Sequence, residues 1–282
     1  MLLKNKHRDL ESRIVKAKSA VVAFSGGVDS TLVLAIANDV LQGRVLAVTA
    51  ESDSVSDREL EGTRRLAQIL DVKHKIIKTE EMSSSNYLSN PENRCYYCKS
   101  ELYTKLTKVA TENNIVSIFN GVNLDDLGDH RPGIVAAKEA GIISPLVDSK
   151  LNKQDVRDLA RHIDLPNWEK PALACLSSRI PYGQPVTSKK LLMIENAEEV
   201  LLAEGFKQVR VRHYGNIARI EIPKKDIPDL LKYERYEKIN TSLKKIGFQS
   251  IEVDPKGYRS GSLNEALGLR GGNSQKLKKV IE

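Results

Sequence analysis

Short apolar runs and helix-period segments alternate through the first half of the chain. "AVVAFSG" (20 to 26), "VLAVTAE" (45 to 51), "KHKIIKT" (73 to 79) and "VSIFNGV" (116 to 122) are short, rich in β-branched residues, and read as strands. Between them, "DSTLVLAIANDVL" and "DRELEGTRRLAQILD" repeat their apolar residues at helical spacing and read as helices. This alternation predicts an α/β fold, a parallel sheet with helices on both faces. Ligands of such sheets bind beyond the carboxyl ends of the strands.

The pattern changes near residue 170. "NWEKPALACLSSRIPYGQPVTSKK", with Pro171, Pro181 and Pro185, reads as a connection. A helix (about 189 to 204), a hairpin in "QVRVRHYGNIARIEIP" with "HYGN" as its turn, a helix (about 226 to 246) and the strand "QSIEVD" follow. The order αββαβ predicts a smaller α+β domain with regular elements from about residue 180. The expected domains are 1–170 and 171–282, the second including the linker, and the tail "RGGNSQKLKKVIE" is expected to be poorly ordered or packed on a partner chain.

Composition narrows the class without naming a function. With 40% hydrophobic and 29% charged residues, and no apolar run near the roughly 20 needed to span a bilayer, a membrane is not an expected partner. The start "MLLKNKHRDLESRIVKAKSA" spreads its apolar residues among charges, unlike a signal peptide, so a cytoplasmic location is expected. Three cysteines in a reducing compartment argue against a disulfide framework and for free thiols, metal ligands or catalytic sulfur. Forty-four basic against 37 acidic residues give a net charge of +7, which suits a nucleotide, a phosphorylated metabolite or RNA, and equally a solvated lysine-rich surface.

The strongest local signal is "AFSGGVDST", Ala23 to Thr31, between a strand and a helix. An anion there meets free backbone amides and the positive end of the helix dipole. Gly26 and Gly27 allow close backbone approach, Ser25, Ser30 and Thr31 add hydroxyls, and Asp29 is a candidate for magnesium or for capping an amide. No G-x-x-x-x-G-K-S/T and no G-x-G-x-x-G after a strand is present, so neither a Walker loop nor a dinucleotide fingerprint explains the glycines.

"SGGVDS" resembles the loop of the N-type ATP pyrophosphatases, enzymes that split ATP into AMP and pyrophosphate while adenylylating an oxygen. "GVNLDDLGDHRPG" (121 to 133), "CLSSRIPYG" (175 to 183), "VRVRHYGNIARIEIP" (209 to 223) and "GYRSG" (257 to 261) together resemble the pyridinium-biscarboxylate mononucleotide sulfur transferases that build the nickel-pincer nucleotide. The resemblance covers nearly the whole chain. It implies an adenine nucleotide alpha hydrolase-like, PP-loop domain, an ATP- and magnesium-dependent sulfurtransferase activity, a small mononucleotide substrate, and a homo-oligomer.

In the sacrificial members of that family a cysteine just before "SSR-x-PYG" donates its own sulfur, and Cys175 matches it. This chain also carries Cys95 and Cys98 in "ENRCYYCKSELY", a pair the sacrificial members do not need. It is similar instead to three-cysteine members that use a 4Fe-4S cluster, in which Cys95, Cys98 and Cys175 would be ligands and sulfide would come from a separate donor. Thiolates suit such a cluster. A zinc site with one of the five histidines, a redox dithiol at Cys95 and Cys98, and unrelated buried cysteines are the competing readings.

Arg210 and Arg212 alternate along "VRVR" and share one face of a strand, a suitable clamp for a phosphate monoester. The resemblance implies that Arg210, Arg212 and Ser178 hold the substrate phosphate. Gly121 suits close approach to adenine, and Arg131 faces a phosphate in the same reading, while Asp125, Asp126 and Asp129 equally describe a solvated loop. The rival activity is a tRNA thiolase, which shares the loop and the three cysteines. With 5% aromatic residues and no recognisable RNA module, nucleic acid is not the expected partner. A non-catalytic nucleotide-binding module is the third reading.

Overall fold

The computed structural model describes residues 3–128, 132–172, 174–259 and 261–263. They form two compact units, the first running to Tyr87 and resuming from Asn93, the second taking Leu88–Glu92 and the chain from Ala174.

In the first unit, β1 (Ala20–Ala23), β2 (Val45–Glu51), β3 (His74–Lys78) and β4 (Ser117–Phe119) form a sheet in the order β3-β2-β1-β4, with every pairing parallel. Successive residues of a strand face opposite sides. Val22 accordingly joins a core with Leu10 and Ile14 of α1 (Leu3–Ile14), Leu32 and Ile36 of α2 (Val28–Val40), Leu66 of α3 (Asp57–Ile69) and Leu159 of α8 (Lys153–His162). Its neighbour Val21 joins the opposite core, built with Leu102 and Leu106 of α5 (Arg94–Glu112) and Ala136 of α6 (Pro132–Glu139). Helices therefore cover both faces, as the hydrophobic pattern predicts. The one-turn helices α4 (Ser85–Leu88) and α7 (Pro145–Asp148) complete the helices of this half. Among the described residues no helix is long and apolar enough to cross a membrane.

Three of these strands are shorter than their apolar runs, β3 by one residue at each end and the first and fourth by more. The first run stops pairing at Ala23 because the chain turns out of the sheet at Gly26, whose φ is +68°. The fourth stops at Phe119, where the chain turns towards α2 through Gly121.

The second unit holds α9 (Ser188–Ala203), β5 (Arg210–Tyr214), β6 (Ile217–Glu221), α10 (Ile227–Leu230), α11 (Tyr233–Ile246) and β7 (Ser250–Val253). β5 and β6 form an antiparallel hairpin, and β7 adds parallel to β6. Ala197, Leu201, Val211, Ile220, Ile239 and Leu243 share its core. The hairpin pairs Tyr214 with Ile217, so its two-residue loop is Gly215-Asn216, one position later than the centre of "HYGN". The helix expected over about 226 to 246 is broken before α11, where Lys232 adopts ψ 130° and leaves the helical region. Asn90, fully buried, ties Leu88–Glu92 into this unit by donating from Nδ2 towards the carbonyls of Ile180, Pro181 and Gln184, at 3.2, 2.7 and 3.0 Å. The tail from residue 264 lies outside the described residues.

Candidate active site

The phosphate loop leaves the carboxyl end of β1 and enters α2 with Gly27 as its N-cap. The first amides of a helix have no partner within it. Ser30 Oγ donates to the Gly27 carbonyl at 3.1 Å and stands 3.1 Å from Ser25 Oγ, and Thr31 Oγ1 donates to the same carbonyl at 2.9 Å. These bonds hold the loop curled, with Ser25 exposed and Ser30 and Thr31 buried beneath it. Gly121 comes from the loop after β4. A Cβ built there would lie 2.7 Å from Ser30 N and 2.9 Å from Ser30 Cα, so only glycine lets the two loops approach this closely. Arg131, the other residue expected there, lies outside the described residues.

Asp29, in the first turn of α2, is held from two directions. Lys153 Nζ, at the start of α8, donates to Oδ2 at 2.5 Å, and Asn123 Nδ2 donates to Oδ1 at 3.1 Å. Asn167 Nδ2 reaches the Gly26 carbonyl at 3.1 Å and Thr31 Oγ1 at 2.9 Å, and Lys170 Nζ reaches the Gly26 carbonyl at 3.3 Å. Burial is the main cause that pushes the Lys170 ammonium below the usual lysine range. None of Asn123, Lys153, Asn167 and Lys170 is apparent from the sequence, because they are brought to the loop by three later segments, Asn167 and Lys170 by the same one. A lysine opening an amphipathic helix was the only available signal for Lys153.

Cys95 and Cys98 occupy the first two turns of α5, one helical turn apart, the first exposed and the second partly so. The tyrosines between them anchor the helix start. Tyr96 donates its hydroxyl to Glu139 Oε2 of α6 at 2.7 Å, a bond that raises its pKa, and its ring meets Tyr97 edge-on with centroids 5.6 Å apart.

Cys175, also partly exposed, belongs to the second unit and directly precedes the 3-10 turn Leu176–Arg179. Arg179 is buried beneath it. Its Nη1 donates to the carbonyls of Ala174 and Cys175, the latter at 2.9 Å, and to Ser178 Oγ at 3.1 Å. Its Nε and Nη2 engage both oxygens of Glu198 on α9, at 2.8 and 2.9 Å. Glu198 Oε1 also accepts the Val211 amide of β5 at 3.0 Å.

On that strand, Arg212 is buried and forms a two-point pair with Glu221 across the hairpin, at 3.1 and 2.9 Å. It also donates to the Ser178 carbonyl and to Ser262 Oγ, both at 2.6 Å. Four of its five N–H groups are thus engaged with described residues. Arg210 is only partly buried, with its guanidinium 5.6 Å from the Tyr258 ring centroid. The Arg212 guanidinium and the Ser178 backbone are brought together by their hydrogen bond. The carboxylates Glu198 and Glu221, which fix the two buried arginines, are not legible in the sequence. In "GYRSG", Ser260 lies outside the described residues.

A parallel α/β sheet whose first strand passes through S-G-G-V-D-S into a helix defines this protein as an enzyme of the ATP-using PP-loop class. The family described as "Queuosine biosynthesis protein QueC" matches residues 19–115. The chain is 42% identical to an uncharacterized protein of Synechocystis sp., covering 94% of this chain and 99% of that one. It is 36% identical to pyridinium-3,5-bisthiocarboxylic acid mononucleotide synthase of Lactiplantibacillus plantarum, covering 94% and 96%, and 30% identical to an uncharacterized protein of Methanocaldococcus jannaschii, covering 87% and 92%. The chain belongs to the pyridinium-3,5-bisthiocarboxylic acid mononucleotide synthase family, a family of sulfur-transferring enzymes.

Proposed function

We propose that this enzyme uses ATP to activate the carboxylates of pyridinium-3,5-biscarboxylic acid mononucleotide and converts them to thiocarboxylates, with Cys95, Cys98 and Cys175 as ligands of a 4Fe-4S cluster. The observation that carries the reading is the presence, in one chain with a named synthase relative, of the curled S-G-G-V-D-S loop and of two accessible thiols one turn apart at the start of α5.

The loop amides and the Ser25 and Ser30 hydroxyls hold the ATP phosphates. Asp29 supplies a carboxylate oxygen at the helix start, the kind of ligand magnesium takes once the ion displaces Lys153 from it. A substrate carboxylate oxygen attacks the α-phosphorus as the bond to the bridging oxygen breaks, and pyrophosphate leaves with that electron pair. Amides aimed at the departing oxygens stabilise the charge that develops there. Activation is needed because a bare carboxylate is a poor electrophile.

Ser178, Arg210 and Arg212 hold the substrate phosphate. The Ser178 hydroxyl accepts from Arg179, which leaves its own proton to donate to a phosphate oxygen. Arg210, partly buried, supplies the more accessible guanidinium, and Arg212, its charge matched by Glu221, fixes the Ser178 backbone and keeps one N–H for the phosphate.

Three cysteine thiolates would suit a cluster with one iron left without a protein ligand, and the chemistry it would supply when bound is delivery of sulfide to the activated acyl group. Magnesium, cytoplasmic location, a homo-oligomeric state and the exclusion of nucleic acid belong to the same proposal.

The test is iron, zinc and acid-labile sulfide on protein purified without oxygen, for the parent chain and for Cys95→Ala. Iron and sulfide in near-equal amounts, lost in the variant, support the cluster. Zinc, or no metal, overturns it, and a chain left lighter by one hydrogen sulfide at Cys175 after turnover restores the sacrificial mechanism.

A further inference from the structure

The phosphate loop has no lysine of its own. In a Walker loop a lysine within the motif meets the β- and γ-phosphates, whereas "SGGVDS" offers hydroxyls, amides and the anionic Asp29. A tetra-anionic triphosphate on such a loop needs a cation from elsewhere in the fold.

Two lysines approach the loop, and their surroundings differ. Lys153 is held at 2.5 Å by the Asp29 carboxylate. Lys170, 144 residues beyond Gly26, has its Nζ 3.3 Å from the Gly26 carbonyl, and among the described residues no carboxylate lies within ion-pair distance of it. On its other side the ammonium faces α3, where it is the nearest atom, at 3.8 Å, to a Cβ built on Gly62. Glu59 and Arg58, also on α3, act on it with opposite sign. Burial disfavours its charge, so the site as it stands is electrostatically incomplete.

The segment that carries this lysine is held in place independently of it. Arg157 of α8 donates to the carbonyls of Trp168 and Lys170 at 3.0 and 3.1 Å, and the Arg161 guanidinium lies 5.1 Å from the Trp168 ring centroid. Asn167 bonds to the loop through Nδ2 while its Oδ1, on a side chain 7% exposed, has no partner among the described residues. The backbone at 167 to 170 is thus pinned from the α8 side, and the lysine projects from it onto the loop.

We propose that Lys170 is a catalytic residue that binds the β- and γ-phosphates of ATP and neutralises the departing pyrophosphate. This rests on the ATP-dependent reading above. As the carboxylate oxygen forms its bond to the α-phosphorus, the bond from that phosphorus to the bridging oxygen breaks and its electron pair stays on the β-phosphate. The ammonium keeps its three protons and donates hydrogen bonds to that oxygen and its neighbours, giving up the weaker contact to the Gly26 carbonyl.

Lys170→Met and Lys170→Arg test this, with ATP, pyrophosphate and AMP titrated separately onto each. For Lys170→Met, ATP and pyrophosphate bind about tenfold more weakly while AMP binding is unchanged, and Lys170→Arg recovers most of the loss. Equal weakening of AMP, or unchanged ATP binding, overturns the assignment. Amine acylation of the parent chain, read by peptide mass spectrometry, gives a second measurement that needs no variant. ATP and pyrophosphate slow modification of Lys170 and AMP does not, whereas equal rates with all three overturn it. A parent chain that binds no ATP overturns the functional reading as well; one that binds ATP with Lys170 indifferent overturns only this inference.

Discussion

Arg179 and Glu198 meet in a two-point ion pair, Nε to Oε1 at 2.8 Å and Nη2 to Oε2 at 2.9 Å, with side chains 2% and 11% exposed. The remaining nitrogen of the same guanidinium clasps the carbonyl of Cys175, and the same carboxylate takes the Val211 amide of β5. One buried pair therefore fixes the cysteine backbone to the strand that carries Arg210 and Arg212. Removing one partner of a buried pair strands the other's charge, so Glu198→Ala loses about 3–5 kcal/mol of stability in this unit. Glu198→Gln, which keeps an acceptor for Val211, loses less. Denaturant unfolding together with hydrogen exchange at the Val211 amide measures both; a loss below about 1 kcal/mol for the alanine variant contradicts the role of the pair.

Gly121 and Ser30 set the floor of the nucleotide site. An alanine at 121 drives its methyl into backbone atoms of α2 at 2.7 and 2.9 Å, where no side chain can swing aside. Overpacking of that kind costs about 1–3 kcal/mol, and here it also displaces the loop. Gly121→Ala is expected to lower both melting temperature and ATP affinity, whereas Gly128→Ala, with nothing within 4 Å of its Cβ position, leaves both unchanged. Equal behaviour of the two variants in a thermal melt and an ATP titration contradicts the close approach.

The Asp29–Lys153 pair is 20% and 31% exposed at its two side chains, which limits its contribution to stability to about 1 kcal/mol. If Asp29 faces magnesium, its loss falls on catalysis instead. Asp29→Asn is expected to cut magnesium-dependent pyrophosphate release about a hundredfold with little change in melting. A variant that melts early yet releases pyrophosphate at the parent rate makes Asp29 a structural partner of Lys153.

His213 is 4% exposed, its Nδ1 has no partner among the described residues, and its ring lies 5.4 Å from that of Phe248. Burial, reinforced by Lys190, pushes its pKa below the usual value. Below about pH 6.5 the unfolded chain binds a proton that the folded site refuses. Stability of the second unit is therefore complete above that pH and falls as pH drops towards the lowered folded value. Urea midpoints between about pH 7.5 and 5 should show this slope, and His213→Phe should flatten it; an unchanged slope places the titration elsewhere.

The α/β class was legible because Val21 and Val22, adjacent in one strand, serve opposite cores, and a strand buried on both sides must be apolar throughout. The loop was equally legible, since Ser25 to Thr31 are contiguous and a strand-to-helix junction needs no distant partner. Local rules failed where a neighbour intervened. The helix expected to run unbroken to residue 246 breaks at Lys232, beside which Asp229 draws both Lys232 and Arg235.

The strands and helices, the phosphate loop, the "CYYC" turn of α5 and the two arginines of β5 are legible along the chain alone, because each is a pattern of neighbours under short-range geometry. Which charges meet is settled by the folded chain. Lys153 and Lys170 reach Asp29 and Gly26 across 124 and 144 residues, and Glu198 and Glu221 select Arg179 and Arg212 as buried struts while Arg210 stays partly exposed. A charged side chain shows no periodicity that names its partner. The partner is fixed by burial, which makes an unpaired charge costly and a well-placed opposite one necessary.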